Sequence, residues 1–439
     1  MKLRFAHPFY TSAGGPQGPA ARSVLFLATL LFPIIAHPNT AMGQSTAQVT
    51  TGTITLQQIL ELVQRDNPDI LAADKRWEAA RKRISQAATP NKPRLDLERM
   101  YAPADKNVIS GAVERNIAVT QEMPFPTTLY LQHGRATQEA QIAEQSYRAK
   151  VREVVARAST AYAMLFLNYK SMEIFDENIE IMRRFSKVAE SKYAAGHSSQ
   201  LDALKAEVEL TKMLNMRYEA EQERGINESM LNALLNREAL TPLGAPAEPG
   251  SGALSARLDE LQAEAVAHRP ELRQMFLETQ RARTDLSLAR SEYLPDLMLQ
   301  YRWRNDPTMG NSNDAILGFS IPLWFWKPAA MVSEAKAERE MADAELQAMK
   351  VDTSADLRTA WLRAKTAKRL AEIYRTSLLP QAQESLSVAE SGYQTDKSTF
   401  LDLLDAERSL LNSRLEYYQY LADYEQRLAE LERIVGKEL

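Results

Sequence analysis

The feature that most constrains the fold is an internal duplication with a period of about 200 residues. The segment Val188–Tyr193 (VAESKY) recurs as Val388–Tyr393 (VAESGY). Without a gap, Leu201–Glu207 (LDALKAE) recurs as Leu401–Glu407 (LDLLDAE). Self-similarity of this kind indicates two copies of one structural unit that pack against each other.

The two copies are separated by a segment rich in proline, glycine and serine, TPLGAPAEPGSGALS. Such a composition is typical of a linker, because these residues interrupt helices and strands. The sequence therefore predicts a first structural repeat over 44–240, a linker over 241–255 and a second structural repeat over 256–439.

The composition of the 439-residue chain favours helix and excludes several classes of protein and several kinds of site. Apolar residues make up 45% and charged residues 25%, so neither a disordered chain nor a multi-span helical membrane protein is expected. The lack of cysteine excludes disulfides and thiolate sites, and a net charge of −4 offers no basic surface for nucleic acid. The sequence shows neither a phosphate-binding loop nor a histidine pair at metal-ligand spacing. We therefore expect no enzyme activity, cofactor or metal site.

The first 43 residues have the pattern of a secretory signal. A basic start without acidic residues leads into the apolar run Ser23–Ala36, and small residues follow before Gln44. The alternative is a membrane anchor, but the run is shorter than the ~20 residues that span a bilayer. The sequence predicts a signal peptide over 1–43 and an exported protein.

Each repeat carries one segment with the alternation of a β-hairpin. The odd-numbered positions of Leu297–Trp303 are apolar and fall on one face of a strand. A turn-rich segment and a second strand follow, and the first repeat shows a weaker version of the pattern. The sequence predicts four strands in two separate hairpins, at about 94–123 and about 296–323.

Each predicted β-hairpin is followed by a long helical hairpin. Residues 135–195 contain neither proline nor glycine, which allows a helix of about 90 Å. Gly196 then interrupts the pattern, so the first helical hairpin is predicted to turn near 196 and the second near 396. The second long helix, 329–395, contains Pro380, where we expect a kink. The lengths predict that each long helix lies beside two shorter helices stacked end to end.

Four strands cannot close a barrel, and a small sheet with an apolar outer face leaves its edges unpaired. Two arrangements would cover the apolar face or pair the edges of such strands. The hairpins could pack on helices in a soluble α+β domain, or hairpins from several copies could join into one membrane barrel. Aromatic residues typical of a membrane interface favour the barrel; they lie on or beside the second hairpin, at Tyr301, Trp303, Trp324 and Trp326.

In these features the chain resembles the TolC-type outer-membrane efflux family, and within it the heavy-metal (CzcC/CusC-like) outer-membrane components. The resemblance covers everything after the predicted signal. It rests on the helix starts and strand edges Asn67-Pro68, Arg269-Pro270, Pro295 and Ile321-Pro322-Leu323. Above all it rests on the duplicated tip motif, Tyr193–Gly196 with Leu201–Leu204, and Tyr393 with Leu401–Ala406.

This resemblance implies a mainly α-helical fold with a small β part. Three copies would form an outer-membrane β-barrel, four strands from each, continuous with a long periplasmic α-helical barrel. A belt from 44–66, 237–268 and the C-terminus would surround the helices. The implied partners are two further copies, outer-membrane lipid of a Gram-negative bacterium, a periplasmic adaptor protein and, through it, an inner-membrane pump. The implied function is the exit duct of a tripartite efflux system, with heavy-metal cations as a candidate cargo.

By the same resemblance, Asp402 and Asp405 match acidic positions that ring the narrow, closed end of the tunnel. Tyr393 matches a tyrosine that holds this end closed through hydrogen bonds. The carboxylates of three copies would form a ring that attracts cations. The alternative is that Asp402 is an ordinary helix cap, since Asp202 occupies the matching place in the first repeat. Ser398 replaces the family's basic loop residue, so the sequence leaves open how the end is latched.

The turns of the two helical hairpins are the expected contact for the adaptor. Gly196 suits the left-handed conformation of a tight turn, whereas Asp396 tolerates it less well, so we expect the second turn to differ. The predicted adaptor-contacting residues are Gly196, Ser199, Leu201, Asp202, Asp396, Thr399 and Leu401.

Two alternatives remain open at this point. One is the same channel serving drug efflux or type I protein secretion, because selectivity would lie largely in the pump. The other is a secreted coiled-coil structural protein with a small β domain, which would be a soluble monomer rather than a trimer in a membrane.

Overall fold

The computed structural model describes residues 52–100, 114–250, 254, 256–306 and 310–439. Within them, long helices and short strands occur in the same order twice. The predicted signal peptide (1–43), the predicted loop near 103–106 and part of the predicted linker (251–253 and 255) lie outside the described residues.

Each copy consists of two short helices, a β-hairpin and a helical hairpin. The elements of the first copy are α1 (Leu56–Asp66), α2 (Pro68–Ala87), β1 (Arg94–Met100), β2 (Glu114–Met123), α3 (Pro126–Ala194) and α4 (Gln200–Leu234). Those of the second are α5 (Leu258–His268), α6 (Pro270–Ser291), β3 (Asp296–Asp306), β4 (Gly310–Ser320), α7 (Trp326–Ile373), a π-helical turn (Tyr374–Leu378), α8 (Leu379–Gln394) and α9 (Phe400–Val435).

Asn67 connects the start of α2 to the end of α4. Its side-chain oxygen accepts hydrogen bonds from the backbone N–H groups of Asp69 (3.0 Å) and Ile70 (3.2 Å). Its side-chain amide donates to the carbonyl oxygen of Leu234 at 2.9 Å. Pro68 follows at the first helical position, where the missing N–H of proline would have no helical partner anyway.

The predicted stacking of helices is confirmed. The long helix α3 packs beside α2 and α4, and α7 packs beside α6 and α9. The helix α3 also contacts α6 and α9, so it joins the two copies. It begins well before the predicted position 135, because Gly134 lies inside the helix with open space where a side chain would be. Glycine only weakens a helix and does not end one.

The predicted interruption at Pro380 takes the form of a π-helical turn over Tyr374–Leu378. There the backbone N–H of Leu379 donates to the carbonyl oxygen of Tyr374, five residues earlier. Proline has no N–H to donate and its ring collides with the preceding turn of an α-helix, so a wider turn accommodates it. The helix then continues as α8.

The prediction of two separate β-hairpins is wrong. The four strands form one antiparallel sheet in the order β1-β2-β3-β4, in which β2 of the first copy pairs with β3 of the second. The central register places Ile117 opposite Trp303 and Val119 opposite Tyr301. Strands with a shared apolar face gain cross-strand contacts when the hairpins join. In the described residues, β1 and β4 each have a strand neighbour on one side.

The two faces of this sheet differ sharply. One face carries exposed apolar side chains, at Leu95, Leu97, Ile117, Val119, Leu299, Tyr301, Leu317 and Phe319. The other is polar and partly buried, and there Gln300 donates a hydrogen bond to Thr120 at 2.8 Å. On that face Arg304 lies 3.3 Å from both Glu114 and Asp314. In the part of the chain that the structure describes, no helix is long and apolar enough to cross a membrane.

Part of the predicted belt packs on the middle of α3. Ile54 forms a parallel bridge with Pro246. The buried hydroxyl of Tyr162 lies 2.9 Å from the carbonyl oxygen of Ile54 and 2.8 Å from that of Ala247, so its one proton is shared between the two acceptors. Burial raises the pKa of Tyr162 to about 12, so this hydroxyl keeps its proton and remains a donor.

Replacement of Gly436 by alanine is expected to destabilise the protein by roughly 2 kcal/mol or more. Gly436 has φ of 86°, and a Cβ atom there would lie 2.5 Å from the carbonyl oxygen of His268. Thermal unfolding in detergent, followed by circular dichroism, measures the effect. Gly134→Ala is the control: it adds a methyl group in open space inside α3 and is expected to stabilise by up to about 1 kcal/mol. Equal effects of the two changes would contradict the prediction.

Candidate functional site

The duplicated motif lies at two neighbouring turns, which we call the tip turns. The first, residues 195–199, joins α3 to α4, and the second, residues 395–399, joins α8 to α9. Beneath them a single apolar core takes side chains from both copies, among them Phe185, Met213, Leu386 and Leu404. The two tip turns are therefore held side by side on common packing.

The first tip turn closes in the manner expected of glycine. Gly196 has φ of 76°, and its N–H donates to the carbonyl oxygen of Tyr193 at 2.9 Å. The N–H of His197 reaches the carbonyl oxygen of Lys192 at 2.8 Å, which completes a Schellman motif. Ser199 then caps α4 by accepting a hydrogen bond from the N–H of Leu201.

The second tip turn has the same conformation, so the expectation that it would differ is wrong. Asp396 adopts φ of 58°, and the N–H of Lys397 donates to the carbonyl oxygen of Gly392 at 2.8 Å. A serine hydroxyl braces each turn in the same way: Ser198 donates to the carbonyl oxygen of Ala189 at 3.3 Å, and Ser398 donates to that of Ala389 at 3.1 Å. Aspartate is one of the few residues other than glycine that visit this region, because its short polar side chain bonds locally.

Lys192 supplies a partner that holds Asp396 in place. Its amino group lies 2.5 Å from the Asp396 carboxylate and also donates to the backbone carbonyl oxygen of Tyr393. The same nitrogen lies 4.5 Å from the centre of the Tyr393 ring. The hydrogen bond from Lys192 lowers the pKa of Asp396, which therefore stays charged. Lys192 thus links the end of α3 to the second tip turn.

The sequence analysis did not predict a role for Lys192, although a comparison of the two copies shows a difference at this position. The first copy has Lys192 and Gly196, whereas the second has Gly392 and Asp396, so a charged residue and a glycine have changed places. The structure gives the reason: a Cβ atom on Gly392 would lie 2.6 Å from the hydroxyl oxygen of Ser398. A side chain at position 392 would therefore require Ser398 to move from the place where it braces the second tip turn.

Tyr393 is buried between the tip turns, whereas Tyr193, its counterpart in the first copy, is exposed. Its ring packs against Phe400 with centroids 5.4 Å apart. Its hydroxyl has no hydrogen-bond partner among the described residues. Burial raises the pKa of Tyr393, and the negative charge of Asp202 adds to the effect. Within one chain, Tyr393 therefore contributes to the tip through its ring and its carbonyl oxygen.

Asp402 forms a capping box with Thr399. The N–H of Thr399 donates to the Asp402 carboxylate at 2.8 Å, and the N–H of Asp402 donates to the Thr399 hydroxyl oxygen at 3.2 Å. The hydrogen bonds from the Thr399 hydroxyl and N–H lower the pKa of Asp402, so the carboxylate is charged at neutral pH. Asp402 thus serves as a cap, the alternative considered above, and also carries an exposed negative charge.

Asp405 lies one turn further along α9 and is mostly exposed. Its nearest cation is Arg408, at 3.7 Å. Arg408 is engaged elsewhere, because it binds the buried carboxylate of Glu209 on α4 through two nitrogens. Asp405 is therefore the freer of the two carboxylates. Asp402 and Asp405 project on one side of α9, as their spacing predicts.

Glu407 is a buried carboxyl group that sequence reasoning did not single out. The residue is 1% exposed, and neither carboxylate oxygen has a partner among the described residues. Burial raises its pKa to about 7, the charge of Glu209 adds to this, and Arg408 opposes it. The motif alone does not predict that Glu407 is buried, because Glu207, at the matching position of the first copy, is exposed.

The residues predicted to meet an adaptor all lie at or beside the tip turns. Leu201 and Leu401 are about half exposed and face solvent. The sequence prediction did not include Leu204 and Val208, which extend Leu201 into an exposed apolar stripe along α4. Large apolar side chains in solvent at regular helical spacing are typical of a helix that packs against a partner.

The family of the chain is recognisable from comparison with known proteins. The model of the family described as outer membrane efflux protein matches residues 59–237 and 261–437, one match in each copy. The cobalt-zinc-cadmium resistance protein CzcC of Cupriavidus metallidurans is 26% identical over 435 residues, which cover 94% of this chain and 99% of CzcC.

Two solved structures share the fold. The channel CusC is 16% identical, with a TM-score of 0.76 over 87% of this chain and 92% of CusC. The outer membrane protein VceC of Vibrio cholerae is also 16% identical, with a TM-score of 0.73 over 87% of this chain and 96% of VceC. The order of helices and strands described above is therefore that of an experimentally known architecture.

Proposed function

The chain belongs to the outer membrane efflux protein family, whose members are outer-membrane channels that extend into the periplasm, and we propose that it is the homotrimeric exit duct of a tripartite efflux system. One observation carries the assembly of several copies: among the described residues, the four-stranded sheet has an exposed apolar face and a free edge on each side, and the number three is what the family resemblance implies. Sheet edges in a bilayer must be paired, because no water is present to satisfy their N–H and C=O groups. Three copies would pair every edge in a barrel of about twelve strands.

The polar face of the sheet supports the same assembly. Barrels that enclose an aqueous passage are apolar outside and polar inside, with alternation along every strand. Here Gln300, Thr120, Arg304, Glu114 and Asp314 share the face opposite the apolar one. That face would line the passage, and the helices α3, α4, α7, α8 and α9 would continue it into the periplasm.

The tip turns are proposed to be both the closed end of the duct and the docking site of a periplasmic adaptor. Lys192, Tyr393 and Asp396 would hold the two helical hairpins of each copy together at this end. The apolar stripe beginning at Leu201, with the turn residues around it, would accept the helical hairpins of the adaptor. An inner-membrane pump joined through that adaptor would supply the energy.

Heavy-metal cations are the proposed cargo. The support is the similarity to a cobalt-zinc-cadmium resistance protein along nearly the whole chain, together with the negative charge of Asp402 and Asp405 near the proposed narrow end.

Deletion of the gene, with complementation by the wild-type gene, tests this assignment. Loss of tolerance to cobalt, zinc or cadmium, restored by complementation, is the expected result. Loss of tolerance to organic drugs alone would contradict metal cations as the cargo and indicate drugs instead. Loss of a secreted protein would indicate protein secretion. A monomer by light scattering in detergent would contradict the duct.

Asp405→Asn is expected to lower the cation preference of the purified channel severalfold, and Asp402→Asn less. The reason is that Asp405 is the freer carboxylate, whereas Asp402 is held in the capping box with Thr399. Reversal potentials in planar bilayers under a salt gradient measure the preference. Asp423→Asn, a half-buried carboxylate much further along α9, is the control. Unchanged selectivity in Asp405→Asn would remove this residue from the proposed constriction.

A further inference from the structure

Two arginines lie directly opposite each other on the apolar face of the sheet. The register of β1 and β2 pairs Arg99 with Arg115, two positions beyond the pair Leu97 and Ile117. Because side chains alternate along a strand, both arginines share the exposed apolar face with Leu97 and Ile117. Both are exposed. Like charges in directly opposed cross-strand positions are unfavourable unless something compensates for them.

No side chain of the described residues compensates this pair. Neither arginine makes an ion pair or hydrogen bond within the described part of the chain, whereas Arg94 on the same strand binds Asp96 at 3.0 Å. The registers also show that every aspartate and glutamate of the four described strands projects from the opposite, polar face. Among the described strand residues, Arg99 and Arg115 are the charged residues of the apolar face, and both are positive.

The next two strands extend the row with amide groups. The register continues from Arg115 to Asn305 on β3 and from there to Asn311 on β4. Asn305 donates a hydrogen bond to Asn311 at 2.6 Å, and each amide keeps a further group for an outside partner. Two guanidinium groups and two amides thus form one row across the sheet, next to the apolar band.

The position of this row relative to the membrane follows from the connections. The helices α2 and α3 attach at the other end of β1 and β2, and they lie on the periplasmic side in this family. The row of Arg99, Arg115, Asn305 and Asn311 therefore lies at the outward-facing end of the apolar band. This is the level of the headgroups in the outer leaflet.

We propose that this row binds the phosphorylated sugar headgroup of an outer-leaflet glycolipid, with the lipid acyl chains on the apolar band beneath it. Arginine matches phosphate oxygens with two parallel N–H donors, so two guanidiniums side by side suit one phosphate group or two adjacent ones. The asparagine amides suit the hydroxyl and amide groups of the sugar. The inference goes beyond the proposed duct, because it concerns the lipid on the outside of the barrel.

Native mass spectrometry of the purified full-length protein, titrated with bis-phosphorylated lipid A, tests the proposal. The wild-type protein is expected to retain lipid A, and the double variant Arg99→Gln with Arg115→Gln to bind it at least tenfold more weakly. Arg94→Gln is the matched control, since it removes an arginine of the same strand that already has a carboxylate partner, and it should bind as the wild type does. Arg115→Lys should give an intermediate affinity, because it keeps the charge and loses the fork of donors.

Three results would overturn the proposal. The first is equal binding of lipid A by the wild type and the double variant. The second is equal binding of lipid A and its dephosphorylated form by the wild type. The third is full competition by millimolar inorganic phosphate, which would assign a site for free phosphate instead of a lipid. If the double variant does not fold, the single variants and the dephosphorylated lipid still decide the question.

Discussion

Lys192→Met is expected to raise the single-channel conductance of the purified protein severalfold and to produce frequent long openings. The amino group of Lys192 bonds both the carboxylate of Asp396 and the carbonyl oxygen of Tyr393, and the side chain is 16% exposed. Methionine keeps the unbranched stem that packs between the tip turns and removes all three donors. The Asp396 carboxylate, held in a left-handed turn, would lose its cation.

Planar-bilayer recordings at fixed salt measure this effect. Lys187→Met is the matched control, since Lys187 is an exposed lysine on the same helix, five residues earlier. It should leave the conductance unchanged, and circular dichroism should show equal helix content in both variants.

A charge exchange provides a stricter test of the same latch. Lys192→Glu alone would place two carboxylates side by side and should open the tip further than methionine does. Combined with Asp396→Lys, it should recover much of the low conductance, because the pair is restored with its charges exchanged. Wild-type conductance in Lys192→Met, or in Lys192→Glu alone, would show that Lys192 does not hold the tip closed.

Glu407→Gln is expected to stabilise the protein above pH 7 by about 3 kcal/mol and to flatten its dependence on pH. The pKa of Glu407 rises from its ordinary value of 4.5 to about 7, because the carboxyl group is buried and its oxygens have no hydrogen-bond partner among the described residues. The folded protein therefore holds this proton more tightly than the unfolded chain does. In the wild type, the contribution of this proton to stability is fully present below pH 4.5, falls as the pH rises to about 7 and is absent above that.

Thermal unfolding at pH 5.5 and pH 8.5, followed by helical circular dichroism, measures this change. The wild type should unfold several degrees lower at pH 8.5, and Glu407→Gln should reduce the difference. Glu425 has a similar pKa, about 7, for the same reason of burial, so Glu425→Gln should remove a further part. Glu207→Gln, at the exposed matching position of the first copy, should leave the dependence unchanged. An unaltered pH dependence in Glu407→Gln would mean that this carboxyl group is solvated or paired.

The parts of the fold that depend on local pattern could be predicted from the sequence. The duplication predicted two copies of one element order, and the structure has them. The alternation at Leu297–Trp303 predicted a strand with one apolar face, and β3 is that strand. The alternation depends on residues close together in the chain, and the duplication is visible in the sequence itself. Neither pattern depends on which distant residues pack against it.

The sequence was less informative where residues distant in the chain meet. Gly134 suggested a helix boundary, but packing of α3 on its neighbours outweighs the small cost of one glycine. Asp396 suggested a different turn, but Lys192, about 200 residues earlier, supplies its partner. The two β-hairpins gave no local sign that they pair with each other, since edges are matched only once both copies are folded.

By itself, the sequence determined the repeat, the helical and strand segments, the resemblance to outer-membrane efflux proteins and the positions of the two tip turns. The hydrophobic period, the turn residues and the duplication are properties of the linear sequence, so they can be recognised without knowing which residues meet in the fold. Only the tertiary structure decided that Lys192 reaches the second tip turn, that Glu407 is buried and that Arg99 lies beside Arg115. These facts depend on which surfaces meet, and burial and charge pairing arise only when they do.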